Sequence, residues 1–245
     1  MLDMLVTAPF WVDVLKIIMI DVLLSGDNAV VIALACRNLP AEQRKKGILF
    51  GMAGAVVLRI VLTFFAVSLL SLPYLKLVGA LLLIWIGIKL ILPEDEHDES
   101  SIKADARLIG AIKTIIIADF VMSLDNVLGV AAAAKGNVPL LVFGLLISIP
   151  LIAWSSQLVL KLIDRFPYII YAGGALLGYV AGEMLVAEAL FAPLAEARHY
   201  LHWLIPVSCA ILVLAIGQWL AMRHAIAGEV IDLVDGKSVM PGKQD

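Results

Sequence analysis

The sequence predicts an all-α polytopic membrane protein of seven transmembrane helices, arranged as two inverted three-helix repeats plus one extra helix. Three observations lead there. The 245 residues are 62% hydrophobic and only 16% charged, with a mean hydropathy of +1.01. Soluble domains run at about 45–50% apolar and about 25% charged, so this chain could not cover its surface with polar groups in water. Apolar runs of spanning length recur along the whole chain. One polar motif occurs twice inside those runs: residues 21–28 read Asp-Val-Leu-Leu-Ser-Gly-Asp-Asn, and residues 119–126 read Asp-Phe-Val-Met-Ser-Leu-Asp-Asn.

A hydrocarbon core about 30 Å thick takes about 20 helical residues. Spans are therefore expected at 15–36, 47–70, 74–92, 111–134, 138–162, 168–187 and 203–222. Pro40, Pro73, Pro93, Pro139, Pro167 and Pro193 fall in the gaps or at their edges, where a missing N–H is harmless. Pro150 lies inside the fifth span and Pro206 in the first turn of the seventh. The opening Met1-Leu2-Asp3-Met4 lacks the basic region and small-residue cleavage site of a secretory signal, so the first span is expected in the mature protein.

Seven spans put the termini on opposite sides. With the N-terminus outside, the inner segments hold Arg37, Arg44, Lys45 and Lys46, then Lys103, Arg107 and Lys113, then Lys161 and Arg165, then Arg223, Lys237 and Lys243. The outer segments hold Lys76, Lys135 and Arg198. Lys and Arg collect on the cytoplasmic side, which predicts an inner (plasma) membrane protein with its N-terminus outside and its C-terminus in the cytosol.

The duplication is wider than the motif. Leu72-Pro73-Tyr74 opens the third span and Phe166-Pro167-Tyr168 the sixth; Gly79 then matches Gly173, and Lys89 matches Glu183. Phe50-Gly51 of the second span matches Phe143-Gly144 of the fifth. Three spans per copy is an odd number, so the second copy enters from the opposite side. Inverted repeats of this kind build many transporters, with the ion site near the midplane where they meet. The expected divisions are a first repeat at 10–93, an acidic cytosolic linker at 94–109, a second repeat at 110–188, a seventh span at 200–222 and a cytosolic tail at 223–245.

The motif sets the chemistry. An Asp at the centre of a spanning helix costs roughly 2.5–3.5 kcal/mol on insertion scales, so four approach about 10 kcal/mol. A bound cation offsets such a charge. The expected metal-binding residues are Asp21, Ser25, Asp27 and Asn28 from the first copy, and Asp119, Ser123, Asp125 and Asn126 from the second. Asp21, Ser25 and Asn28 are spaced i, i+4, i+7 and share a helical face, as do Asp119, Ser123 and Asn126. Asp27 and Asp125 sit about 120° from those stripes, so a helix break near Ser25-Gly26 or a second helix is needed to bring them in.

Carboxylate, amide and hydroxyl oxygens suit Mg²⁺, Ca²⁺ or Mn²⁺. Of the other ionisable groups inside spans, Arg59 is expected to pair with an Asp. Lys89 is read as snorkelling or tethering a carboxylate, and Glu183 as an interfacial residue, an extra ligand or a proton acceptor. Lys16 is given only a snorkelling role.

Other classes fall away. A net charge of −3 offers nothing to nucleic acid. Cys36 and Cys209 are too far apart for a disulfide framework or a Cys-based zinc site. No His/Glu zinc motif or nucleophile–base pair is evident, so no enzyme is expected.

The paired motif resembles the TerC family of integral membrane proteins, and this short form is similar to its bacterial YjbE-type branch. The seven-span layout, the acidic 94–101 segment and Gly182-Glu183-Met184 strengthen the likeness. The resemblance implies metal-ion transport, most directly Mn²⁺ efflux, and a kinship with LysE-like exporters. It assigns the family's acidic residues to Asp21, Asp27, Asp119 and Asp125. The expected activity is export of a divalent ion, Mn²⁺ first and Ca²⁺ second, by alternating access with protons as the exchanged ion. A Ca²⁺ or other cation/proton antiporter and a metal-holding membrane scaffold stay open as alternatives. The expected partners are the metal ion and membrane lipids, with a homo-oligomer left open.

Overall fold

A computed structural model describes residues 8–24, 26–70, 72, 74–93, 101–134 and 138–234. Every regular element among them is helical: α1 (Ala8–Leu24), α2 (Gly26–Cys36), α3 (Ala41–Leu70), α4 (Leu75–Ile91), α5 (Ser101–Ala134), α6 (Val138–Arg165), α7 (Tyr168–Val186), α8 (Ala192–Ala197) and α9 (Leu201–Val234). Pro40 ends the turn before α3, whose first turn carries Glu42 against the positive end of the helix. Pro167 sits at the N-cap of α7.

Among the described residues, four helical stretches are long and apolar enough to cross a membrane: Ala41–Phe65, Pro139–Arg165, Tyr168–Val186 and Leu201–Arg223. The remaining expected spans are less clear-cut. α1 and α4 have 17 residues each, just short of the usual spanning length. α5 is long enough but carries Lys113 and Asp119 within its apolar run.

Large apolar side chains cover the outside. Phe64, Trp154 and Trp203 are each more than half exposed. Such a surface is stable against acyl chains and not against water.

Two helices run past their expected boundaries, and one short helix is added. α5 starts at Ser101, so residues 101–109 of the expected linker are helical; Lys103, Ala104, Ala106 and Arg107 are good helix formers and extend the helix beyond the apolar run. α9 runs through Val234, taking the first part of the expected tail into the helix. The short helix α8 lies between the sixth and seventh expected spans.

Helices adjacent in sequence are not the main packing partners. α3 packs most extensively on α5, and α6 packs on α1 and α2. Gly51 of α3 lets Ile115 of α5 approach so closely that a Cβ would meet its Cδ1 at 2.6 Å. Gly144 of α6 does the same for Ile17 of α1, at 2.5 Å. These are equivalent positions of the two sequence copies with their partners exchanged. α4 and α7 face each other, and a Cβ on Gly87 would lie 3.4 Å from the Gly174 carbonyl oxygen.

α9 leans on α7 at two glycines. A Cβ on Gly178 would lie 2.7 Å from the Cys209 oxygen and 2.8 Å from the Ala210 Cα. These are backbone atoms and cannot step aside. Gly178→Val should therefore destabilise the protein by about 1–3 kcal/mol through overpacking. Thermal unfolding in detergent measures it, and an unchanged midpoint would mean that α9 is not seated on α7 as described.

Candidate functional site: a buried ionic cluster

The centre of the site is Arg59, halfway along α3 and 4% exposed. Among the described residues its guanidinium reaches three partners on two other helices. Nη1 donates to Asp21 of α1 and Nη2 to Asp119 of α5. Nε donates to Ser123 Oγ at 3.1 Å. A rigid fork of five N–H donors makes Arg the side chain suited to bridging two carboxylates in a dry site.

The partners are satisfied in turn. Ser123 Oγ donates to Asp119 Oδ2 at 3.2 Å, one helical turn back on α5. Asn28 of α2 donates through Nδ2 to Asp119 Oδ1 at 3.0 Å. Ser148 of α6, fully buried, donates to Asp21 Oδ2. Asp21, Asn28, Arg59, Asp119, Ser123 and Ser148 thus tie five helices together, with Asp21 1% and Asp119 6% exposed.

One polar atom stays out of this network. Asn28 Oδ1 is buried and has no hydrogen-bond partner among the described residues. Asn28 and Asp119 also line a small cavity of about 10 Å³ with Val31, Ile32, Ala55 and Ile115. That is roughly the room one water-sized sphere needs.

The sequence expectations divide accordingly. Asp21, Asn28, Asp119 and Ser123 converge, and the expected Arg59–Asp pairing is present twice over. Asp27 makes no hydrogen bond to the side chains of the cluster among the described residues, but it lies near enough to interact electrostatically with Arg59 and Asp119. It is half-buried, and its carboxylate accepts the Asn28 N–H at 3.0 Å. Ser25 and the side chains of Asp125 and Asn126 lie outside the described residues.

Two expected supporting residues are elsewhere. Lys89 is exposed, with Nζ 5.4 Å from the centre of the Trp85 ring, so it snorkels rather than tethers a carboxylate. Glu183 is exposed and lies off the buried face of α7. The geometric reason is the same for both: each sits near the end of its helix, and the cluster is at mid-helix.

Sequence reasoning missed Ser148 and Glu188. Ser148 is a lone hydroxyl in an apolar span, a weak signal on its own. Glu188 is 5% exposed just past α7 and accepts the Leu77 N–H in the first turn of α4 and the Ala189 N–H, each at 3.2 Å. It anchors one helix end to another and takes no part in the cluster.

Among the described residues, no group of three or more His, Cys, Asp or Glu is placed to hold a metal ion. The donors present are all oxygens: two carboxylates, an amide carbonyl and two hydroxyls. They fit a hard divalent cation in kind, and in this arrangement the guanidinium pairs with both carboxylates and balances one of their two charges.

A profile of the integral membrane protein TerC family matches residues 6–225. The chain belongs to the TerC family. It is 41% identical over 207 residues to the uncharacterized membrane protein YjbE of Bacillus subtilis, covering 84% of this chain and 94% of that one. It is 28% identical over 177 residues to the uncharacterized membrane protein YceF of the same organism, covering 69% and 68%. A UPF0053 protein of Haemophilus influenzae is 26% identical over 198 residues, covering 74% and 83%. No solved structure matches the chain.

Removing Arg59 leaves two buried carboxylates without a counter-charge. Arg59→Met should cost about 3–5 kcal/mol, and adding Asp21→Asn should recover part of that loss. Denaturation midpoints of the single and double variants test this; a single variant as stable as the parent protein would show that the cluster is not dry.

Proposed function

We propose that this TerC-family protein exports a divalent cation, Mn²⁺ first, across the inner membrane by alternating access. One observation carries the reading: one acidic residue from each motif copy, Asp21 and Asp119, meets the same buried guanidinium, beside an Asn28 Oδ1 that has no partner among the described residues. Intramembrane ionisable groups are rare, costly and placed on ion pathways. Two carboxylates against one guanidinium leave one negative charge, and Asp27 close by in sequence adds a third carboxylate to the pathway.

The mechanism follows from those charges. With the site empty of metal, Arg59 acts as the counter-cation. An arriving Mn²⁺ takes oxygens from Asp21, Asp119 and Asn28, and the guanidinium gives way. Protons compete for the same carboxylates, which couples metal export to proton entry. The exchanged-partner contacts Gly51–Ile115 and Gly144–Ile17 support an inverted repeat, and the bias of Lys and Arg between the two sets of loops supports the seven-span layout with the N-terminus outside. Two such halves can rock about a fixed midplane site.

Liposomes containing the purified full chain should take up or release Mn²⁺ faster than empty ones. Asp119→Asn should slow that flux by roughly 10–100-fold, the range that loss of a group supporting a metal site produces. Flux that prefers Ca²⁺ would move the reading to a Ca²⁺/proton antiporter. Flux no faster than in empty liposomes would reject transport and leave the metal-holding scaffold. Flux indifferent to an imposed pH gradient would remove the proton coupling alone.

A further inference from the structure

We propose that His199 and His202, at the turn into α9, form a binding site for a divalent transition metal of the Cu²⁺, Ni²⁺ and Zn²⁺ class. The site is separate from the buried ionic cluster, and the assignment stands whether or not the protein transports an ion. The two imidazole rings lie with their centres 5.7 Å apart. With metal–nitrogen bonds of about 2.0–2.1 Å, two imidazoles on one tetrahedral ion have ring centres about 5–5.5 Å apart. Both side chains are exposed, so a small rotation about χ1 closes the gap.

The tilt of the rings matters as much as their spacing. An imidazole nitrogen binds a metal in the plane of its ring, so a shared ion must lie in both planes. Rings stacked in parallel have no such point. These are inclined at 51°, and their planes intersect.

The backbone holds the pair in place. Leu201 N–H donates to the Arg198 carbonyl at 2.9 Å, His202 N–H to the His199 carbonyl at 3.3 Å, and Leu204 N–H to the Tyr200 carbonyl at 3.0 Å. These bonds close the turn between α8 and α9 and bring residues three apart to one side of it. The start of α9 is itself seated on α7: a Cβ on Gly182 would lie 2.3 Å from the Pro206 Cα, one turn beyond His202. Ligands carried on a fixed turn lose little freedom when an ion arrives. The adjacent guanidinium of Arg198 is engaged by Tyr200, donating to its Oη at 3.3 Å.

The ligand chemistry selects the ion. Imidazole suits Cu²⁺, Ni²⁺ and Zn²⁺, and affinity at a given site rises along the series from Mn²⁺ to Cu²⁺. Two imidazoles bring no negative charge, so a hard ion that favours carboxylates gains little from them. Water fills the remaining coordination positions of an exposed pair. Once one ring has bound, the second bond forms within the molecule, which raises the affinity above that of either histidine alone.

Trp203 follows His202 and is 58% exposed, which gives the site its own reporter. The full chain in detergent is titrated with Cu²⁺, and quenching of Trp203 is read as the difference between the parent protein and its Trp203→Phe variant. The difference should saturate at one Cu²⁺ per chain, and the paramagnetic resonance spectrum of the bound ion should show two imidazole nitrogens. His199→Gln and His202→Gln, both exposed and expected to melt as the parent does, should each raise the half-saturating concentration roughly tenfold or more and leave one nitrogen. Excess Zn²⁺ should displace the Cu²⁺ and restore the fluorescence; the same excess of Mn²⁺ should not. Quenching that never saturates, or a saturating signal unchanged in both histidine variants, overturns the proposal. Displacement by Mn²⁺ as effective as by Zn²⁺ also overturns it.

Discussion

Arg59 holds together charges that the membrane interior would otherwise reject. A carboxylate or guanidinium moved out of water costs several kcal/mol even after the protein relaxes, and only close, fully hydrogen-bonded pairing recovers it. Asp21, Asp119, Ser123, Asn28 and Ser148 supply that pairing from α1, α5, α2 and α6 around a side chain of α3. The helices must converge at mid-depth for the network to close. Gly51 and Gly144 permit the approach by removing the side chains that would hold α3 from α5 and α6 from α1.

A buried pair of this kind is weak evidence for stability and stronger evidence for a switch. Apolar side chains would fill the same space at least as well. What two carboxylates and a guanidinium offer instead is a charge balance that another cation can enter. Asn28 Oδ1 fits this account, because a buried acceptor with no donor among the described residues is costly unless some state of the protein uses it. Each half of the motif duplication contributes one acid, so neither half can complete the site alone.

Much of this was legible in the residues. The membrane class followed from composition, and the convergence of Asp21, Asn28, Asp119 and Ser123 followed from their spacing on one face. The off-stripe position of Asp27 was equally plain from helix geometry. Arg59 was legible as a partner because an unpaired mid-span Arg is untenable. The ends of elements were not legible: α5 and α9 extend because helix-forming polar residues continue a span past the apolar run. Lys89 was legible as a snorkelling residue, while Glu183 stayed open between an interfacial place and a ligand role because spacing reveals register along a helix and not its depth relative to a site. Ser148 was hidden because one hydroxyl in an apolar helix is ordinarily satisfied by its own backbone, and Ser156 shows that default with a 2.8 Å bond to Ile152.

The central claim is that Arg59 and a divalent cation are alternative occupants of one oxygen-lined site. Infrared difference spectra of the full chain, recorded on adding Mn²⁺, report both groups at once. The account predicts that carboxylate and guanidinium bands shift together, that Arg59→Lys removes the guanidinium component, and that Asp119→Asn removes both. A carboxylate shift with the guanidinium bands unmoved, or no Mn²⁺-dependent change at all, would contradict it.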